Sequence, residues 1–444
     1  MRKLIAVVAV GGLWLLSGSS VFAARVGSIG EAGLGARQAV YLFGLTAGPD
    51  GNLWFADLGC TGIGHCAVGR ITPRGSIVEF RHGLDAGSVP FTLATARGGD
   101  LWFTDEGRRP AIGRITPQGR ITEFRRGLAA GSQPFEITAG PDGNVWFTDQ
   151  GKRPAIGRIT PRGRIAEFRA GLAPASIPFG ITAGRGRRLW FADRGCGGTG
   201  RCAVGRITTR GQITEFTTGL RQGGQPLGIA AGPGGGVWFA DSSGAIGQIT
   251  AAGRITERSR GLEPGGSPVA IAPGPDASMW FSDEGVRPAV GRITRRGAIR
   301  EFSAGLLAGS QPAFITPAAD GRMWFSDEGS TAAVGAVTTG APAALRTPPA
   351  VSGTPAVGSP AGCRPARWAT WAGLRPSVRL LDSDGYRWLR DGTLISDHRS
   401  PRYTPSAGAA GTRLACRETV TYPAPLVVTA AGASAALTVS APGG

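Results

Sequence analysis

Seven times the chain repeats Trp-Phe-x-Asp, beginning at Trp54, Trp102, Trp146, Trp190, Trp238, Trp280 and Trp324. The intervals are 48, 44, 44, 48, 42 and 44 residues, so the molecule is a repeat protein. A period near 44 is too long for ankyrin or leucine-rich units and fits a four-stranded propeller blade. The expected fold is all-β, a seven-bladed β-propeller over residues 25–340.

The third copy shows how one repeat folds. Phe135 to Ala139 alternates like a first strand, Pro141-Asp142-Gly143-Asn144 is a turn, and Val145 to Asp149 is a second strand. Ala155 to Thr160 and Arg164 to Phe168 supply the third and fourth, joined at Arg162-Gly163 by what reads as a two-residue hairpin. The seventh copy has a third strand at Ala333 to Thr338 and no fourth. Gly27 to Glu31, followed by Gly33-Leu34, has the missing pattern. The N-terminal segment is therefore expected to pair with Ala333 to Thr338 and close the ring, leaving no open edge.

Two-residue hairpins would place Arg70 opposite Glu79, Arg114 opposite Glu123, Arg158 opposite Glu167, Arg206 opposite Glu215 and Arg292 opposite Glu301. Cross-strand ion pairing then accounts for much of the formal charge of +18, which is almost wholly arginine. A basic chain can attract anionic polymers, and a cell-envelope polymer is an expected partner. Nucleic acid is not, because the chain reads as exported. Arg2-Lys3, the apolar run Leu4 to Leu16 and Val21-Phe22-Ala23 before Ala24 form a signal peptide over residues 1–24. No second apolar run is long enough to span a membrane. The expected product is a secreted or envelope-associated monomer.

Six cysteines suit an oxidising compartment. Cys60 and Cys66 bound one insertion, Cys196 and Cys202 an equivalent one, and Cys363 and Cys416 lie past the propeller. Three local disulfides are expected, in preference to a metal. Residues 341–360, rich in Ala, Pro, Thr, Ser and Gly, read as a linker. Over 361–440, Cys363, Trp371, Tyr386-Arg387-Trp388, Arg390-Asp391-Gly392, Tyr403, Gly411, Leu414 and Cys416 follow an order that resembles bacterial immunoglobulin-like modules. The resemblance implies a small β-sandwich with a tryptophan buried beside a sheet-bridging disulfide.

Leu53-Trp54-Phe55-Ala56-Asp57, Ile112-Gly113-Arg114-Ile115-Thr116, Ile121-Thr122-Glu123-Phe124 and Gln133-Pro134-Phe135-Glu136-Ile137-Thr138 resemble the repeat of the streptogramin B (virginiamycin B) lyases. The resemblance implies magnesium-dependent linearisation of a cyclic depsipeptide antibiotic by elimination, with a histidine base after the proline that opens the first strand. Here Phe91, Phe135, Phe179, Leu227, Val269 and Ala313 hold that position. None of these side chains accepts a proton. The chain's histidines are His65, in a cysteine-bounded loop, His82, beyond an outer strand, and His398, in the tail.

Acidic residues are better placed. Asp57, Asp105, Asp149, Asp193, Asp241, Asp283 and Asp327 should gather on the face that carries Phe91, Phe135 and Phe179. Glu106, Glu284 and Glu328 follow directly, and Glu136 joins them. Such a ring could ligate a hard cation or receive a cationic or peptide ligand. An aspartate repeated in every blade also suits the capping of backbone N–H groups, which is favoured for most of the seven. Arg108, Arg109, Lys152, Arg153 and Arg287 give the same mouth mixed charge. The expected function is a binding or scaffold module taking an unidentified ligand at the central mouth. The alternative is an antibiotic-inactivating lyase, with magnesium as cofactor only in that case.

Overall fold

The computed structural model describes residues 25–33, 41–59, 66–72, 75–96, 98–195, 202–330, 332–370, 385–395, 400–422 and 429–441. Seven four-stranded antiparallel sheets form a propeller, and a smaller β domain follows. In blade 3 the strands are Pro134–Ala139, Val145–Asp149, Ala155–Ile159 and Ile165–Phe168, from the axis outward. First strands of successive blades pack side by side around the axis.

Each blade is built on the same contacts. Trp146 is fully buried with Ile156 against Ile181, Leu189 and Phe191 of blade 4, so the repeated tryptophan is the wedge between neighbouring sheets. Phe147 lies flat against the third strand, where a Cβ on Gly157 would come within 2.0 Å of the ring. Every blade keeps a glycine there, because any larger residue would push the two strands apart.

The ring closes as its missing strand requires. Ile29–Gly33 pairs antiparallel with Ala333–Thr338, with Ile29 opposite Val337 and Glu31 opposite Gly335. The hydrogen bond from Gly27 N–H to Thr338 C=O, 2.8 Å, extends the pairing.

The five arginine–glutamate pairs do not form. Gly113, not Arg114, stands opposite Glu123, and Arg114 faces Thr122. The hairpin is longer than two residues: Thr116 N–H bonds to Arg120 C=O, Gly119 N–H bonds to Thr116 C=O, and Gly119 has φ +90°. That extra residue slips the register by one and sends the arginine to the other face. The same offset separates Arg70 from Glu79, Arg158 from Glu167, Arg206 from Glu215 and Arg292 from Glu301. The arginines instead lie over the aromatic wedge, Arg158 at 5.5 Å from Trp146 and 5.4 Å from Phe168. Three also pair with turn aspartates, Arg70 with Asp50 at 3.6 Å, Arg114 with Asp100 at 3.7 Å and Arg292 with Asp276 at 2.7 Å.

Residues 341–360 are not an extended linker. Leu345–Thr347 pairs with Arg367–Trp368, and Ala350–Ser352 with Ala361–Arg364. Small residues permit close backbone pairing, and Ala344 N–H bonds to Ala319 C=O of the propeller at 2.8 Å. The small domain carries Ala361–Arg364 in one sheet and Tyr386–Arg390 and Arg413–Thr421 in another, bridged by Cys363–Cys416. Fully buried Trp388 stands opposite Cys416 and 5.6 Å from the Tyr403 ring, in the manner of an immunoglobulin-like sandwich. Cys66 and Cys202 are also disulfide-bonded. Their expected partners, Cys60 and Cys196, lie outside the described residues, as do residues 1–24, His65, Trp371 and His398. Among the described residues no helix is long and apolar enough to cross a membrane.

Candidate functional site

At one end of the propeller each first strand begins at a proline, or at Leu42 in blade 1, paired with the aspartate that ends the second strand. The seven aspartates are buried, and none exceeds 4% exposure. In blade 3, Asp149 Oδ1 accepts the N–H groups of Gln133 and Gly151, both at 2.8 Å. The pattern recurs at Asp57, Asp105, Asp193, Asp241, Asp283 and Asp327, each holding the loop that enters its blade and the turn that follows it. This ring is the frame of the mouth, with the Oδ1 of each aspartate occupied by backbone N–H groups.

Behind the frame sits a second acidic ring. Glu123, on the fourth strand, accepts Ser88 Oγ–H at 2.9 Å and Asp85 N–H at 3.3 Å, and faces Asp105. Equivalent pairs join Glu31 to Asp327, Glu215 to Asp193, Glu257 to Asp241 and Glu301 to Asp283. In the Glu257–Asp241 and Glu301–Asp283 pairs, an oxygen on each partner is buried without a donor, as expected of two carboxyl groups sharing one proton. Burial first, and the neighbouring aspartate second, push Glu31, Glu215 and Glu257 to about 7 and Glu301 to about 8.

The open surface at this end comes from the residues just after the aspartates and just after the prolines. Glu106, Glu284 and Glu328 are half-buried on the rim, their N–H groups bonded to Val89, Ser267 and Gln311 carbonyls. Gln150, Arg194 and Ser242 hold the same position in blades 3, 4 and 5. Burial raises all three glutamates to about 7, helped by Asp105 for Glu106, by Asp283 for Glu284, and by Glu284 and Asp327 for Glu328. Tyr41 donates its hydroxyl to Glu328 Oε2 at 2.9 Å, and its own pKa is pushed up to about 12 by burial and by Glu328 and Glu284.

Below the rim the phenylalanines form a continuous aromatic arc. Ring centroids are 4.1 Å apart for Phe43 and Phe91, 4.7 Å for Phe91 and Phe135, and 4.4 Å for Phe135 and Phe179, while Phe314 meets Phe43 at 4.6 Å. Arg194 lies 4.7 Å over Phe179. The arc is locked from behind: Thr104 and Thr148 donate to the Phe135 and Phe179 carbonyls at 2.6 and 2.7 Å. In blades 5, 6 and 7 the residue after the proline is Leu227, Val269 or Ala313, of which Leu227 and Ala313 are buried. Glu136 does not join the rim glutamates. It sits half-buried between the first strands of blades 3 and 4, where Ile181 N–H bonds to it and burial drives it to about 8.

The profile of the Virginiamycin B lyase family matches residues 5–259 and 202–342. The chain belongs to that family. Virginiamycin B lyase from Staphylococcus aureus is 29% identical with a TM-score of 0.61, the match covering 70% of this chain and 99% of that one. A catalytically inactive histidine-to-alanine variant of the Staphylococcus aureus enzyme, solved with quinupristin, is 30% identical with the same TM-score of 0.61 and the same coverage of 70% and 99%. A streptogramin B lyase structure is 28% identical at a TM-score of 0.61, covering 70% of this chain and 97% of its own. No curated protein matches the chain.

Within this virginiamycin B lyase family propeller, His82 is exposed beyond the outermost strand of blade 1, away from the aromatic arc. Among the described residues no three His, Cys, Asp or Glu side chains converge as a metal site. On the rim Glu284 influences Glu328, which accepts the Tyr41 hydroxyl. The described rim residues therefore do not form a magnesium cage of their own. Phe43 lacks the proline signal because Leu42 precedes it, and Phe314 stands one residue later than the other rings. Phe43 was still legible, standing 11 residues before its tryptophan as Phe91 and Phe135 do.

Proposed function

We propose that this protein is an exported binding member of the virginiamycin B lyase family, which holds a peptide ligand at the mouth without opening it. One observation carries the reading. Where the family resemblance calls for a histidine base, the chain builds an arc of phenyl rings suited to stacking and unable to move a proton. The Staphylococcus aureus variant that lost a histidine is catalytically inactive yet was obtained with quinupristin, which supports separating binding from chemistry. The acidic rim adds preference for a cationic group on the ligand, which becomes stronger as the carboxyls ionise. Export rests on the signal-like N-terminus and on the disulfides at Cys66, Cys202 and Cys363–Cys416.

A second reading has its own support. Glu106 and Glu284, raised to about 7, have the proton affinity of an imidazole and could serve as a general base on the rim. Calorimetric titration of quinupristin into the protein tests the binding proposal. Saturable binding is expected, and Phe135→Ala should weaken it about tenfold by removing an aromatic contact and its burial. Absence of binding, or full affinity in Phe135→Ala, would refute the mouth as the site.

A further inference from the structure

The end of the propeller opposite the mouth is made of hairpins. In blades 1, 3, 6 and 7 the turn between first and second strands holds an aspartate that accepts the indole N–H of the repeated tryptophan. Trp54 donates to Asp50, Trp146 to Asp142 and Trp280 to Asp276, each at 3.0 Å, and Trp324 to Asp320 at 2.9 Å. Blade 5 departs from this rule. Its turn reads Pro233-Gly234-Gly235-Gly236, so Gly234 stands where those four blades place the carboxylate, as Gly98 does in blade 2 and Gly186 in blade 4. Trp238 is 3% exposed and its Nε1 has no hydrogen-bond partner, the only tryptophan so placed among the described residues. A buried donor left without an acceptor is costly and uncommon.

Positive charge converges on this turn from three blades. Arg185, from the blade 4 turn, lies across Gly235, with Nε 1.8 Å from where a Cβ would be. Arg295, from the outer hairpin of blade 6, puts Nη2 3.1 Å from the same position on Gly234. Arg258 takes the place that Phe80, Phe124, Phe168, Phe216 and Phe302 hold in other blades. Its guanidinium lies 6.0 Å from the Trp238 ring, with a buried Nη1 that has no partner. None of the three forms an ion pair among the described residues. Guanidinium groups around a buried N–H donor make a site for a planar or tetrahedral oxyanion.

We infer that the blade 5 turn binds an oxyanion, a phosphate or carboxylate group of a ligand, through Trp238 Nε1–H, Arg185, Arg258 and Arg295. The ligand oxygen takes the place of the aspartate that this blade lacks. Arg295 also borders an open cleft with Asp276, Thr339 and Pro342 that runs toward Thr370, so a longer polyanion could continue past Arg295 only along the side away from Asp276.

The full chain, labelled with ¹⁵N, provides a direct test through its indole N–H signals in NMR spectra. The Trp238 signal is assigned by its loss in Trp238→Phe, and inorganic phosphate, acetate and polyphosphate are titrated separately. The expected result is a saturable shift of that signal with at least one of the three. In Arg185→Gln/Arg295→Gln, a pair of exposed positions, affinity should fall roughly tenfold, equivalent to about 1.4 kcal/mol. Tighter phosphate than acetate would assign a phosphate-bearing ligand, the reverse a carboxylate-bearing one, and tighter polyphosphate one that continues into the cleft. No saturable shift with any of the three, or unchanged affinity in the double variant, would overturn the inference.

Discussion

Glu301→Gln should remove part of the protein's sensitivity to alkaline pH. Glu301 accepts Glu263 N–H at 2.6 Å and faces Asp283, and burial with the aspartate raises it from 4.5 to about 8. The native state thus keeps a proton that the unfolded chain releases above 4.5, so the stabilisation is complete below 4.5 and is lost as pH rises through about 8. At 1.36 kcal/mol per pH unit that interval corresponds to almost ~5 kcal/mol. Glu301 is only half-buried, so solvent screening reduces the observable effect to about 2 kcal/mol. Glutamine keeps the acceptor for Glu263 N–H and offers Asp283 a permanent donor, without a proton to lose. Denaturant unfolding at intervals from pH 5 to 8.5 should show wild type losing about 2 kcal/mol more than the variant. Parallel slopes for the two proteins would refute the shared-proton account.

Other outcomes follow from the same contacts. Gly157→Ala should destabilise the propeller by about 1–3 kcal/mol, since its Cβ would press into the Phe147 ring, and a cost near zero in denaturant unfolding would show that the strands separate freely. Quinupristin, if held through a cationic group, should bind more tightly as pH rises from 6 to 8, because Glu106, Glu284 and Glu328 ionise near 7. Glu284→Gln should flatten that dependence in calorimetry, and an unaltered profile would remove Glu284 from the ligand surface.

The blade pattern was plain in the sequence because Trp-Phe-x-Asp fixes the second strand, and everything else is spaced from it. The closing strand was legible for the same reason: Ile29 and Glu31 match the fourth-strand pattern and pair as that pattern requires. Hairpin register was not, because a positive φ at Gly119 serves both a two-residue turn and the longer one that forms. That one residue decides whether Arg114 meets Glu123 or the Trp102 ring, which lies 5.7 Å away. The mouth posed a different difficulty. Asp105 and Glu106 are adjacent and chemically alike, yet one is buried in backbone hydrogen bonds and the other stands on the rim. The aspartate recurs in every blade and the glutamate in three, and the end of the second strand at Asp105 is what separates the buried frame from the half-buried rim. Burial also changes the weight of the carboxylates. An ordinary glutamate is a poor base at neutral pH, but Glu106 and Glu284 at about 7 are not ordinary.

That last point makes product formation the sharpest test of the central claim, that this member of the family binds at its mouth without opening its ligand. Purified protein is incubated with a streptogramin B and magnesium at pH 7 and 8.5, and the antibiotic is followed by mass spectrometry and chromatography. A linear elimination product has the mass of its cyclic parent, so chromatographic separation and fragmentation distinguish them. The account predicts cyclic antibiotic recovered intact at both pH values. Linear product that forms with magnesium and disappears in Glu106→Gln or Glu284→Gln would contradict it, and would make a rim carboxylate the base of a working lyase.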